Sequence, residues 1–405
     1  MRAISGHIRS RPQRKWVGGN AIALLENGQA YFPALETAID GANREILLQT
    51  YIFASDATGR RIADALMRAA GRGVAVRLLV DGFGGRPLLR DLLERLISAG
   101  VEVLVFRREL RLLSIRRRRL RRMHCKVAVI DGKTAFIGGI NIVDDFDAEA
   151  PGHPRYDYAV RVEGALLEPI LGVSRRLWRQ VAWASLRRRM RGQSGASAST
   201  QAAGDVRAVF LVRDNLRHRN DIENAYLDAI AQARDEILIA NAYFFPGRRF
   251  RHALLDAVAR GVKVTLLLQG VADHPVMQYA TRALYPLFLG KGIRIFEYRR
   301  SILHAKVAVI DGHWATVGSS NIDPFSLLMA REANVAADDA GFAVMLAASL
   351  RAAIREGAEE LCREDWAKLP RMRRVLCWLA YQTVRFATGV AGYGDYVRGN
   401  INVGE

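Results

Sequence analysis

The chain has 405 residues, half of them apolar, and a formal net charge of +19. That length suits two domains with packed cores, and the charge calls for an anionic partner, either nucleic acid or an anionic membrane surface. Three cysteines, Cys125, Cys362 and Cys377, are too few and too odd for a disulfide framework, which points to a reducing compartment. No apolar run reaches the length of about 18 residues needed for a membrane span. The Arg-rich stretch 1–18 lacks the apolar segment of a secretory signal and reads as a basic arm.

Residues 21–25 read as a first strand and 31–42 as a helix with Phe32, Leu35, Ala38 and Ile39 on one face. A buried strand is expected at 46–53, an amphipathic helix at 59–72 closed by Gly73, a strand at 74–80, a helix at 88–99 and a strand at 101–106. Such alternation predicts a mixed sheet with helices on both faces. The segment 106–122 carries nine arginines interleaved with Leu and Ile. Its aliphatic neighbours favour an anionic headgroup layer over single-stranded nucleic acid, which selects aromatics for stacking.

Immediately after that segment comes His124-Cys125-Lys126-Val127-Ala128-Val129-Ile130-Asp131-Gly132, running on to Gly138-Gly139-Ile140-Asn141. The chain contains the same stretch again from His304, through Lys306, Asp311 and Gly312, to Gly318-Ser319-Ser320-Asn321. Eleven of the eighteen aligned residues are identical, with no gap. Such a match makes the chain two copies of one unit. Each copy predicts a strand, an Asp-Gly turn and a returning strand. Residues i and i+2 share a face of a strand, so His124, Lys126, Ala128 and Ile130 face one way, and Cys125, Val127 and Val129 the other. Cys125 is accordingly a small core residue. Two His, two Lys and two Asn form a pocket suited to a phosphate. Lysines and asparagines can neutralise charge on phosphoryl oxygens, while one imidazole attacks phosphorus and the other protonates the leaving oxygen. No residue cluster has metal-ligand spacing, so neither a metal nor a cofactor is expected.

The second half repeats the order of the first: a helix at 222–233, a strand at 236–245, a helix at 249–260 and a strand at 262–268. Residues 187–205, rich in Gly and Ser, read as a flexible linker between the halves. Beyond residue 366, Trp366, Leu369, Met372, Val375, Leu376, Trp378 and Leu379 alternate with arginines, as in an interfacial amphipathic helix. An imidazole acting as nucleophile needs its other nitrogen held. An acid follows each motif, Asp157 at 33 residues past His124 and Glu332 at 28 past His304.

The doubled His-x-Lys-x4-Asp-x6-Gly-(Gly/Ser)-x-Asn pattern resembles the phospholipase D superfamily. Further stretches, among them 25–28, 122–124, 136–141, 157–161, 212–215, 240–247, 296–300 and 313–321, are similar to the bacterial cardiolipin synthases that lack N-terminal transmembrane helices. The resemblance implies an α/β fold of two tandem phospholipase D-like domains, 19–186 and 206–365. Each would be a mixed central sheet flanked by helices, the pair related by a pseudo-twofold axis, while 366–405 reads from its own residues as a membrane-associating tail. It implies a metal-independent phosphatidyl transfer with His124 as nucleophile and His304 as acid and base. Lys126, Lys306, Asn141 and Asn321 would bind phosphate, and Asp157, Glu332 and Ser319 would support the histidines. The family motif counts Asp131 and Asp311 in the catalytic set, whereas their place in the Asp-Gly turns reads as holding the turn. The substrates implied are phosphatidylglycerol, with phosphatidylethanolamine as an alternative partner lipid, at the cytoplasmic face of a bacterial membrane. A phospholipase D-type hydrolase or nuclease and a non-catalytic membrane scaffold are the competing classes. Nothing in the sequence addresses oligomeric state.

Overall fold

A computed structural model of the chain describes residues 15–107, 121–146, 153–186, 195–214, 217–271 and 274–390. The basic arm up to residue 14 and most of the Arg-rich insert lie outside the described residues, as do 187–194 of the linker and everything after 390. The strands of the first half are β1 (Val17–Glu26), β2 (Glu45–Thr50), β3 (Ala75–Asp81), β4 (Glu102–Phe106), β5 (Lys126–Ile130), β6 (Thr134–Gly138) and β7 (Tyr158–Gly164). Those of the second half are β8 (Val206–Arg213), β9 (Glu236–Asn241), β10 (Lys263–Gln269), β11 (Arg294–Tyr298), β12 (Lys306–Ile310), β13 (Trp314–Gly318), β14 (Glu332–Asp338) and β15 (Ala358–Leu361).

The strands form a single fifteen-stranded sheet, in the order β15-β11-β10-β9-β12-β13-β14-β8-β1-β7-β6-β5-β2-β3-β4. Outward from the central β8–β1 pair, the two halves repeat one order, with β15 as the extra edge strand. The central pair is antiparallel, with a register shift between Val17 and Asn20. A repeated order about an antiparallel pair is what a twofold relation requires. The two separate sheets expected from the sequence are therefore joined, because β1 and β8 each have a free edge that the other satisfies.

Within each half, β2-β3-β4 and β9-β10-β11 pair in parallel. Their apolar runs, such as Ile46-Leu47-Leu48, are buried on both faces, as parallel strands require. The β5–β6 and β12–β13 pairs are antiparallel. Each turns through a left-handed Asp-Gly pair, Asp131 and Gly132 at φ 53° and 64°, Asp311 and Gly312 at 51° and 65°. Positive φ at both central residues matches the type I′ hairpin turn.

Three cores result. The outer face of the first half, with Ala128 and Ile130, packs under the helices Asn27–Asp40 and Ala57–Gly71. Ala308 and Ile310 pack in the equivalent outer core of the second half. Cys125, Val127 and Val129 face inward and meet Ala305, Val307 and Val309 in one shared core. The alternation expected along these strands is therefore observed. Two helices absent from the sequence reading, Leu167–Ala184 and Ala340–Gly357, line this shared core. Burial also pushes the Cys125 thiol up to about 12, so it is un-ionised at neutral pH.

Two expectations are corrected. The helix expected at 88–99 breaks at Leu92 into Arg86–Asp91 and Leu93–Ser98. Residues 195–203 are not a free linker, since Ala196 is buried, Ser199 N–H donates to the Gly132 carbonyl at 2.8 Å and Ala203 N–H to that of Gly19 at 3.1 Å. The amphipathic segment is helical over Arg371–Val390 and packs on the helix Pro275–Arg282. Cys377, Tyr381 and Val384 form its buried side, while Met372, Val375, Trp378, Leu379 and Phe386 stay exposed. Among the described residues, no helix is long and apolar enough to cross a membrane.

Candidate active site

The two motifs meet where the halves exchange short backbone pairings. Met123, just before β5, bridges to Arg331, just before β14. His124 N–H donates to the Arg331 carbonyl at 2.9 Å, and Arg331 N–H to that of Arg122 at 2.8 Å. The same pattern recurs between Leu303 and Tyr156: His304 N–H donates to the Tyr156 carbonyl at 2.8 Å, and Tyr156 N–H to that of Ile302 at 2.9 Å. Buried side chains fix both approaches. The Asp81 carboxylate accepts from Met123 N–H at 2.9 Å, and the Gln269 amide oxygen from Leu303 N–H at 3.0 Å.

These crossings bring each histidine to the acid of the other half. His124 Nδ1 lies 3.0 and 3.1 Å from the two carboxylate oxygens of Glu332. His304 Nδ1 lies 2.6 Å from Asp157 Oδ2. The acid that follows each motif therefore serves the histidine of the other half, because β7 and β14 begin beside that half's motif strand. With Nδ1–H donating to a carboxylate, Nε2 carries the free lone pair.

The acids are held differently. Ser319 Oγ donates to Glu332 Oε2 at 2.5 Å and accepts from Ala333 N–H at 3.0 Å. Gly139 stands at the equivalent point of the first half. A Cβ there would lie 2.4 and 2.5 Å from the two Asp157 carboxylate oxygens. The shorter acid therefore needs a glycine, and the longer one has a serine. Asp157 is fixed further by Tyr158 N–H at 2.8 Å.

Lys126 and Lys306 are both buried. Lys126 Nζ donates to the His124 carbonyl at 2.7 Å, and Lys306 Nζ donates to that of His304 and, at 3.4 Å, to Asp157 Oδ2. Burial lowers Lys126 to about 7 and Lys306 to about 8, partly offset by the buried carboxylates. Burial likewise lowers both imidazoles below their usual value, His304 further than His124. Each lysine and histidine feels charges from the other half, so the two motifs make one site. Both imidazoles are neutral near pH 7, as a nucleophile must be. An arriving phosphodiester would favour the charged lysines.

Asn141 Oδ1 accepts from Ile52 N–H at 3.2 Å, whereas the buried Asn321 Oδ1 has no hydrogen-bond partner among the described residues and Asn321 lines the cleft. Asp131 and Asp311 are corrected out of the catalytic set. The Asp131 carboxylate accepts N–H donors of Asn43, Arg44 and Glu45, each at 2.8 Å. Asp311 does the same for Arg234, Asp235 and Glu236 at 2.8, 2.9 and 3.0 Å. Both tie the hairpin turn to the start of the neighbouring strand, at the far end of the motif strand from the histidines.

A cavity of about 250 Å³ opens over His124, lined by Tyr51, Arg122, Tyr243, Met277, Asn321, Asp323, Phe325, Ser326 and Ala330. The Tyr51 ring lies 5.0 Å from the His124 ring and 5.5 Å from Lys126 Nζ. Of the aromatics that follow β2 and β9, Tyr51 and Tyr243 stand at the mouth, while Phe53, Phe244 and Phe245 are buried in the outer cores. Met277, Asp323, Phe325 and Ser326 were not anticipated. The one available signal was Asn321-Ile322-Asp323, which in the first copy reads Asn141-Ile142-Val143. Among the described residues, no group of three or more His, Cys, Asp or Glu side chains is arranged to hold a metal ion.

Residues 35–145 and 226–353 match the family model described as cardiolipin synthase, phospholipase D-like domain. The chain is 42% identical over 356 residues to cardiolipin synthase B of Escherichia coli (strain K12), covering 88% of this chain and 85% of that protein. It is 32% identical over 321 residues to a probable cardiolipin synthase of Bacillus subtilis (strain 168), covering 79% of this chain and 63% of that one. Among solved structures it superposes on phosphatidylserine synthase of Haemophilus influenzae with a TM-score of 0.70 at 14% identity, covering 94% of this chain and 97% of that one, which shows a shared fold. With paired motifs that converge on one site and relatives matched along most of its length, the chain belongs to the cardiolipin synthase family of phosphatidyltransferases, in the phospholipase D superfamily.

Proposed function

We propose that the protein condenses two phosphatidylglycerol molecules into cardiolipin and glycerol. The observation that carries this reading is the pair of buried imidazoles, each fixed at Nδ1 by an acid from the other half, with a lysine beside each. His124 Nε2 attacks phosphorus of the first lipid, following the family resemblance. The phosphorus–oxygen bond to glycerol breaks, and His304 supplies the proton that the leaving oxygen takes up. His304 is neutral in the free site and gains its proton once the phosphodiester's negative charge is bound. In the second step His304 takes the proton of a terminal hydroxyl on the second lipid. That oxygen attacks the phosphatidyl-histidine and frees His124. Phosphatidylethanolamine is the alternative partner lipid.

Lys126, Lys306 and the Asn321 amide supply the positive charge and hydrogen bonds for the phosphoryl oxygens. Transfer must outcompete hydrolysis, which the apolar rim of Met277, Phe325, Tyr51 and Tyr243 favours by limiting water. The exposed Met372, Trp378, Leu379 and Phe386, alternating with arginines on the helix Arg371–Val390, suit a peripheral position on an anionic cytoplasmic membrane face.

Purified protein incubated with phosphatidylglycerol vesicles and DNA in EDTA tests the reading. Cardiolipin and glycerol are expected. Nicked DNA without lipid product would make the protein a nuclease, and the absence of both products a scaffold. His124→Ala and His304→Ala should each abolish turnover, because both act in one site.

A further inference from the structure

We propose that Asp323 and Ser326 bind the free hydroxyls of a polyol headgroup and set which alcohol the cleft accepts. This rests on the phosphatidyl-transfer reading above. Among the described residues, Asp323 is the one carboxylate that lines the cleft over His124. A negative group there is costly, because it sits among groups that must receive anionic phosphates and close enough to feel the charge of Glu332. It is also nearly fully buried, at 3% exposed, so it is not a solvated surface charge.

Its local contacts leave capacity for a ligand. Oδ1 accepts from Phe325 N–H at 2.7 Å and Ser326 N–H at 3.1 Å, which sets the Ser326 side chain beside the same carboxylate in the cleft lining. Two backbone bonds to one oxygen leave Oδ2 with acceptor sites, and a serine hydroxyl can both donate and accept. A carboxylate beside a hydroxyl is a recognition pair for alcohol O–H donors, and it repels a second phosphate from the same spot. Capping alone does not account for the pair's position. Elsewhere in the fold Asp56 and Asp339 cap helices by the same kind of bond without lining this cleft.

The pair also breaks the symmetry of the halves. In the first half Asp144 makes the equivalent bond, its Oδ1 accepting from Phe146 N–H at 2.9 Å, but its Oδ2 accepts from the Thr58 hydroxyl at 3.3 Å and it does not line this cleft. An otherwise duplicated phosphate site therefore has hydroxyl recognition from one half only. Glycerol carries two free hydroxyls beyond the esterified one, and this is the group the reaction releases and the group whose hydroxyl must attack.

Headgroup exchange measures the effect. The full-length protein is given phosphatidylglycerol vesicles and equal concentrations of deuterated glycerol and 1-propanol, which has the same three carbons without the extra hydroxyls. Mass spectrometry then gives the ratio of phosphatidylglycerol-d to phosphatidylpropanol. The wild type should favour glycerol. Asp323→Asn keeps the cap but loses the charge, and should lower that ratio about tenfold or more. Ser326→Ala, which leaves carboxylate and cap in place, should lower it severalfold and gives the same readout if the first variant does not fold. Equal loss for both alcohols, leaving the ratio unchanged, would mean a structural role and overturn the inference. So would a wild type without preference for glycerol. No transfer to lipid or to either alcohol would sink the phosphatidyl-transfer reading itself.

Discussion

Replacing Glu332 by Gln tests the crossed support of the histidines most directly. The amide has the same shape, and the Glu332 side chain is 0% exposed, so no water takes the place of the lost partner. What changes is the partner of His124 Nδ1, now 3.0 and 3.1 Å from the two carboxylate oxygens. Loss of a hydrogen bond to a charged group costs about 1.5–3 kcal/mol, roughly 10- to 150-fold in rate. An amide NH₂ facing Nδ1 also moves the ring proton to Nε2, the atom that must attack. Tautomer loss of this kind costs on the order of 10⁴ in a serine-protease triad, so a fall of about 10³- to 10⁴-fold is expected. Ser319 Oγ, 2.5 Å from the same acid, reinforces that orientation. The assay is a single turnover with acyl-labelled phosphatidylglycerol, quenched in alkaline denaturant and mapped by peptide. Glu332→Gln should leave the His124 peptide unlabelled, although the change lies in the other half. Asp157→Asn should still label that peptide, more slowly, because it disturbs His304 instead. Normal labelling in Glu332→Gln together with none in Asp157→Asn would refute crossed support.

Three further outcomes are expected. Gly139→Ala places a Cβ 2.4 Å from Asp157 Oδ1, so the carboxylate must leave His304; turnover should fall about 10- to 100-fold in a protein whose circular dichroism is unchanged. Asp131→Ala strands the three N–H groups it now accepts at 2.8 Å and should lower stability to denaturant by about 1–3 kcal/mol without changing kcat. The pH profile of kcat/KM should be a bell reporting the free enzyme. Its acid limb lies below the usual imidazole value, because burial disfavours the imidazolium and protonation removes the nucleophile. Its alkaline limb falls as pH rises through about 7 and about 8, where Lys126 and Lys306 lose their charge; a flat profile from pH 7 to 9 would contradict the role given to the lysines.

The chemistry was legible in the sequence because it is local. A strand has period two, so His-x-Lys on one face and Cys125, Val127 and Val129 on the other follow from spacing alone, and the Asp131-Gly132 pair marks the tight turn between the strands. Duplication supplied the second half of the site without any knowledge of where it sits. The role of Asp131 was also readable, since a carboxylate beside a left-handed turn meets backbone N–H groups before it meets a substrate. What spacing could not give is which acid serves which histidine. Asp157 and Glu332 each follow the motif of their own half, and only the crossed bridges Met123–Arg331 and Leu303–Tyr156 bring them to the opposite one. The joining of two sheets through β1 and β8 has the same origin, because strand edges find partners across any sequence distance. The aromatics divided for a related reason: after β2 and β9 the chain turns away, leaving Tyr51 and Tyr243 at the cleft and sending Phe53, Phe244 and Phe245 into the cores. Local periodicity fixes which face a side chain takes, and only tertiary packing decides what that face meets.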